Sequence, residues 1–261
     1  MKTSAALLGT FALTALTACG EGGEPQPDAD ANADAAPANT ETDMEQTSLQ
    51  AALDERQAQW AQGASEETIS IYDRGVAAVS EAGVPQNALK AGDAAPQFTL
   101  PDANGDDVAL STLLSDGPVV VVFYRGAWCP YCNLTLAAWQ ERLDEIKGLG
   151  GQLVAISPQT PDYSLTTAER NELAFHVLSD VGHSVADQFG VTQQVTDEVL
   201  AIWEGRIDLA EHNDGDESGR LPLPATFLID ADGQIAFAHV HEDYRVRAEP
   251  QDVIDVLRGM Q

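Results

Sequence analysis

The segment VVVVFYRGAWCPYC, Val119 to Cys132, decides how the rest of the chain is read. Its first six residues, Val119 to Tyr124, are apolar without interruption, the pattern of a strand covered on both faces. Two cysteines follow three positions apart, Cys129 and Cys132, with Pro130 and Tyr131 between them. Proline suits the first turn of a helix, where its missing amide hydrogen has no partner to lose. Cys129 then stands at the helix cap and Cys132 one turn later on the same side, close enough for the two sulfurs to join in a strained ring and part again. The free amides and partial positive charge of a helix start favour a thiolate, the form that attacks disulfides and peroxides. The segment therefore points to thiol redox chemistry. The competing use of such a pair, half of a zinc site, needs two more ligands in tetrahedral reach. His239 and His241, spaced two apart on a strand, are the available histidines, and no second Cys-x-x-Cys exists. A metal-holding or non-catalytic binding protein is thus the alternative from another class.

Downstream of the pair a helix runs from Pro130, with Leu136, Trp139, Leu143 and Ile146 on one side, and stops at Gly148. Leu153 to Ile156 reads as a second buried strand. A helix near Thr167 to Leu173, a short strand at Val177 to Leu178 and a helix beginning near Gly182 come next. Val191 to Arg220 fits no simple period and reads as an insertion. Thr226 to Ile229, the turn Asp230-Ala231-Asp232-Gly233 and Ile235 to Val240 form a hairpin, and a last helix spans Pro250 to about Arg258. Upstream, a short strand at Phe98 to Leu100 precedes a turn at Asn104-Gly105. This order, β-α-β-α and then a hairpin and a helix, is the thioredoxin plan: an α/β fold with a central mixed sheet, here covering residues 91–261.

Residues 48–90 carry a helical pattern. Thr47 with Gln50 resembles a capping box, and Ser65 before two glutamates marks a second helix start. Ile69, Tyr72, Val76 and Val79 share one face, so the segment reads as a helical hairpin packed on the main domain and closed by Gly83 and Pro85. Before it, residues 19–47 hold Ala, Asp, Glu, Pro and Asn with almost nothing to bury, the composition of an extended acidic tether. Residues 1–18 have a lysine and an apolar run too short to span a membrane, an export signal. Leu16-Thr17-Ala18-Cys19 resembles a bacterial lipobox, which makes Cys19 a lipidation site, and Gly20 after it suggests outer-membrane delivery facing the periplasm. Ordinary signal cleavage with an incidental cysteine is the plainer alternative. Acidic residues outnumber basic ones 42 to 13, a balance that repels nucleic acid and anionic lipid, leaving the anchor as the membrane contact. With Cys19 set aside, Cys129 and Cys132 are the only cysteines left, too few for a disulfide scaffold in a chain of 261 residues.

CPYC resembles the glutaredoxin dithiol, and Trp128 before it is similar to thioredoxins. The wider text, FYRGAWCPYCNLTL with LPLPATFLID and EDYRVRAEP, resembles the peroxiredoxin-like group of the alkyl hydroperoxide reductase and thiol-specific antioxidant family, over roughly Ser65 to the end. The resemblance implies a thiol peroxidase that reduces hydroperoxides, needs no cofactor or metal and is re-reduced by a thioredoxin-like dithiol. Members carry Pro-x-x-x-Thr-x-x-Cys, with the cysteine eight positions past the strand's last aromatic. Counting from Tyr124 lands on Cys132, which implies Cys132 as the peroxidatic thiol and Cys129 as the resolving one. Arg125 stands where the family has proline, and Cys129 where it has the threonine that orients the peroxide. Arg125 either supplies positive charge to the thiolate or faces solvent beside a carboxylate. The thioredoxin-like alternative, a protein disulfide reductase, exchanges the roles, with Cys129 attacking from an exposed cap. In that superfamily Pro224, before Ala225-Thr226, matches a cis-proline facing the dithiol, although a proline at a strand start is also ordinary. Trp128 and Tyr131 are expected at the pocket mouth. Tyr244, Arg245 and Arg247 match the family without an assigned task, the two arginines reading as salt-bridge residues.

Overall fold

The computed structural model describes residues 48–261. The expected signal segment 1–18, Cys19, the tether 19–47 and Thr47 all lie outside the described residues. In chain order the helical pair is α1 (Leu49–Gly63) and α2 (Glu66–Glu81), followed by the single turn α3 (Val84–Asn87). Then come β1 (Thr99–Pro101), β2 (Asp107–Ala109), α4 (Leu110–Asp116), β3 (Val119–Phe123), α5 (Pro130–Glu141), α6 (Leu143–Gly148) and β4 (Gln152–Ser157). The second half holds α7 (Pro161–Arg170), β5 (His176–Ser179), α8 (Ser184–Gln188), β6 (Thr192–Gln194), α9 (Asp197–Trp203), α10 (Leu209–His212) and β7 (Arg220–Pro222). It closes with β8 (Ala225–Ile229), β9 (Ile235–Val240) and α11 (Pro250–Arg258).

Five strands form the central sheet in the order β5-β4-β3-β8-β9. β3, β4 and β5 run parallel, β8 pairs antiparallel with β3, and β9 pairs antiparallel with β8 at the edge. This is the mixed sheet of the thioredoxin-like α/β class. Side chains alternate across a strand, so Val119, Val121 and Phe123 enter one core with Phe227 and Phe189, while Val120 and Val122 enter the other with Trp139, Ile146 and Leu257. All five residues of β3 are at most 1% exposed, each burial worth roughly 1.5–3 kcal/mol against exposure. The strand at the centre of the sheet thereby fixes where its carboxyl end, and the cysteines after it, emerge.

Several expectations are corrected in detail. The cap of α1 is Ser48, one residue after the expected Thr47, its Oγ accepting from the Ala51 amide at 3.1 Å; the Gln50 side chain, which a box needs to turn back to the helix start, bonds Asp54, Arg245 and Arg247 instead. Ser65 caps α2 as expected, accepting from Thr68. The strand placed at Phe98 is one residue later. The helix from Pro130 breaks at Arg142, whose amide bonds back only three residues to the Trp139 carbonyl, yielding α5 and α6 with the expected stripe still buried. The helix expected near Thr167 starts earlier, at Pro161, and ends at Arg170, since Leu173 folds back onto the Ala168 carbonyl. Val191 to Arg220 is closed at its base by the antiparallel β6–β7 ribbon and carries α9 and α10. α4, a seven-residue helix, is additional to the elements expected from the sequence.

Candidate active site

Cys129 is the N-cap of α5 and Pro130 its first residue, so the predicted helix start is where the sequence places it. The loop leading into it is held on both sides of one peptide: Gln159 Oε1 accepts from the Ala127 amide at 2.8 Å, and Asn133 Nδ2 donates to the Ala127 carbonyl at 2.9 Å. Gly126, at φ 151°, lies against the Trp128 ring, where an added Cβ would come within 2.4 Å of Nε1. These contacts fix Trp128 and present both sulfurs to the same side.

Both thiols are buried, Cys129 2% and Cys132 0% exposed, which corrects the expectation of an exposed cap. Burial pushes Cys129 well above the ordinary thiol range, and its hydrogen bond to Cys132 adds to this. Burial acts the same way on Cys132 but is outweighed. The hydrogen bond from Cys129, the charges of Arg247 and Arg125 and the Arg125 amide bring Cys132 well below that range. The pair titrates as a unit, and its Cys132 side, which faces the two guanidinium groups, is the one that favours the negative charge.

Two buried guanidinium groups balance that charge. Arg247 Nη2 donates to Cys132 Sγ at 3.8 Å, and its Nε donates to the Tyr244 carbonyl at 2.6 Å. Arg125 is 5% exposed, so the solvent-facing alternative is excluded. Its Cζ lies 4.9 Å from the Trp128 ring, 5.0 Å from Trp203 and 4.4 Å from Tyr244, and its Nε has no hydrogen-bond partner. An aromatic cage of this kind accommodates a desolvated cation without neutralising it, leaving the charge available to the sulfurs. Tyr124 lies under the pair, its phenol pushed up to about 12 by burial and therefore neutral at working pH.

A cleft of about 160 Å³ leads to Cys129, lined by Trp128, Pro130 and Tyr131 as expected, and by Arg56, Trp60 and Trp203 among others. Pro224 is buried just before β8 and does not line it. His239 belongs to β9, whereas His241 lies past its end and accepts from the Asp243 amide. No group of three or more His, Cys, Asp or Glu among the described residues is placed to hold a metal ion. Arg245 is a salt-bridge residue as read, paired with Asp243 and Asp73; Arg247 is not, and faces sulfur instead. Arg247, Trp60 and Trp203 are the site residues the sequence did not disclose. The one available signal for Arg247 was its place in the EDYRVRAEP match.

A thioredoxin-like sheet that delivers a dithiol to a helix start, with one sulfur facing an arginine, defines a thiol oxidoreductase scaffold. The AhpC/TSA family model matches residues 91–238, and the chain belongs to that family. Peroxiredoxin Bcp of Escherichia coli (strain K12) is 34% identical over 172 residues, 66% of this chain and 97% of that protein. Among solved structures, peroxidoxin BcpB from Mycobacterium tuberculosis is similar at a TM-score of 0.54 and 28% identity, covering 66% of this chain and 99% of that one. The reduced 2-Cys peroxiredoxin of Plasmodium vivax shares the fold at a TM-score of 0.51 and 17% identity, over 66% of this chain and 82% of that one.

Proposed function

We propose that this protein is a thiol-dependent peroxidase, a peroxiredoxin, in which Cys132 attacks the hydroperoxide and Cys129 resolves the product. The observation that carries the assignment is the contact of Arg247 Nη2 with Cys132 Sγ at 3.8 Å, which favours the thiolate on Cys132. The Cys132 thiolate attacks the terminal peroxide oxygen, the O–O bond breaks, and the departing alkoxide takes a proton to leave as an alcohol or water. Cys132 is left as a sulfenic acid. The Cys129 thiol gives up its proton and attacks that sulfur, water departs, and a disulfide joins the pair. A thioredoxin-like dithiol returns the two electrons. At the position of the family's threonine, Cys129 supplies the hydrogen-bond donor next to the thiolate as well as the resolving sulfur. The disulfide-reductase reading needs Cys129 as the thiolate, and burial pushes it the other way.

The lipobox at Leu16 to Cys19 supports an exported enzyme anchored by lipid on Cys19 and facing the periplasm. Incorporation of a labelled fatty acid, lost in Cys19→Ser, checks this part. The activity is tested by consumption of hydrogen peroxide and cumene hydroperoxide with a dithiol donor present. Turnover abolished in Cys132→Ser is expected. Undiminished turnover in Cys132→Ser, or activity confined to reducing insulin disulfides and lost in Cys129→Ser, rejects the assignment.

A further inference from the structure

Arg247 stands in a stretch, Tyr244 to Glu249, that has neither strand nor helix of its own before α11 begins. Yet it must hold a guanidinium against one sulfur. In a chain with 42 acidic and 13 basic residues, a mobile arginine finds a carboxylate, and Arg247 has none among the described residues. Something other than an ion pair keeps it in place.

The restraint comes from the other end of the chain. Gln50 Oε1 accepts from the Arg247 amide at 3.3 Å, and Gln50 Nε2 donates to the Arg245 carbonyl at 3.4 Å. The Glu249 carboxylate accepts from the Leu49 amide at 3.0 Å and the Gln50 amide at 2.8 Å, taking up the free donors at the start of α1. Glu249 is also the N-cap of α11, so two helix starts meet on a residue two positions from Arg247. From α2, Asp73 pairs with Arg245 at 3.3 Å. α1 precedes residue 91 and the stretch follows residue 238, so both halves of this clamp lie outside the family match.

We propose that the amino-terminal helical pair is a working part of the thiol site, with Gln50 and Glu249 as positioning residues that hold the 245–249 segment so that Arg247 stays against Cys132. The inference rests on the peroxidase reading above. It makes the helical extension a determinant of how readily Cys132 gives up its proton. The other groups facing Cys132 are the Cys129 thiol, the Arg125 guanidinium and amide, and the Tyr124 phenol; Gln50 and Glu249 hydrogen-bond to none of their side chains, and the held stretch meets Arg125 through the Tyr244 ring alone.

The test uses the folded full chain and two readouts: thiolate absorbance at 240 nm against pH, in a Cys19→Ser, Cys129→Ser background so that Cys132 is the one thiol that titrates, and kcat/KM for hydrogen peroxide with Cys129 and Cys132 both present. Gln50→Ala and Glu249→Ala are expected to move Cys132 deprotonation to higher pH, leaving roughly tenfold less thiolate on the rising part of the wild-type curve, with a matching fall in kcat/KM. Glu249→Gln, which keeps one acceptor, falls between. Gln50→Asn, too short to reach the Arg247 amide yet least disruptive to folding, shifts in the same direction. Arg74→Ala, which breaks the α2–α9 pair with Glu198 away from this segment, leaves the curve unmoved. A lower rate with an unmoved thiolate curve makes the clamp mere scaffold and overturns the proposal, as do wild-type values in every variant. Absence of peroxide turnover and of a low-pH thiolate in the unaltered enzyme instead removes the peroxidase reading, and the inference falls with it.

Discussion

Cys132 and Arg247 are 115 positions apart in the chain, and the proposed chemistry rests on their contact. Exchanging Arg247 for methionine keeps the volume of the side chain and removes the charge and donors from a buried sulfur. Peroxide reduction should fall on the order of 10²-fold, the scale for losing one preorganised donor at a developing charge. Arg247→Lys should recover only part of this, because an ammonium restores charge without the planar fork that bonds Tyr244 and Cys132 together. Stopped-flow reduction of hydrogen peroxide by the three proteins measures both. The pH dependence follows from the opposed titrations. Cys132 is depressed in the folded state, so its contribution to stability is complete above the ordinary thiol range and is lost as pH falls through the depressed value. Cys129 is raised, so its contribution is complete below that range and is lost as pH rises through the raised value. The first peroxide step should therefore rise with pH along the Cys132 titration and level off well below the ordinary thiol value of about 8.5. A rate that climbs only through that ordinary value contradicts the assignment.

At the scale of elements, the turn before α5 carries a second constraint. In Gly126→Ala the new Cβ would lie 2.4 Å from Trp128 Nε1, so the ring must leave its stack on Arg125. The expected loss is about 1–3 kcal/mol of stability with altered tryptophan emission, read by urea unfolding and fluorescence. Ser65→Ala removes the cap of α2 and should cost about 1 kcal/mol without changing the thiolate titration. What could be read from the sequence divides along the same line. The core strand, the start of α5, the helical hairpin, β8–β9 and α11 follow local rules, apolar runs and proline positions, and they stand within a residue or two of their expected places. The break at Arg142 was hidden because the stripe from Leu136 to Ile146 stays buried on both sides of it. α9 and α10 have too few turns for a period to emerge, and α7 opens on Pro161 with polar residues that gave no stripe. In the site, Cys129 and Cys132 were legible because one helical turn brings them together. Arg247, Trp203 and Trp60 arrive from three distant elements, and no local pattern encodes that meeting.

Over the whole molecule, charge and buried histidines set the response to solvent. A net charge of −29 favours expansion, and added salt screens it, so the melting temperature should rise with sodium chloride near neutral pH. His183 is 1% exposed with neither ring nitrogen hydrogen-bonded, and burial lowers its titration, as it does for His212 and His239. For groups depressed in this way the stabilising contribution is complete above the unfolded value of about 6.5 and disappears as the pH falls below it. The melting temperature should drop between pH 7.5 and pH 5.5, and drop less in His183→Asn, which tolerates the φ of 66° at that position and does not titrate. Calorimetry at the two pH values checks the difference. Finally, in the proposed assignment the resolving sulfur of Cys129 sits a single helical turn from its target. No part of the fold has to unwind before the oxidised sulfur is captured, so the interval in which a second oxidant molecule can carry it to the irreversible sulfinic state is short. Such an enzyme endures a flood of its own substrate, and replacing Cys129 with serine should convert that endurance into rapid inactivation.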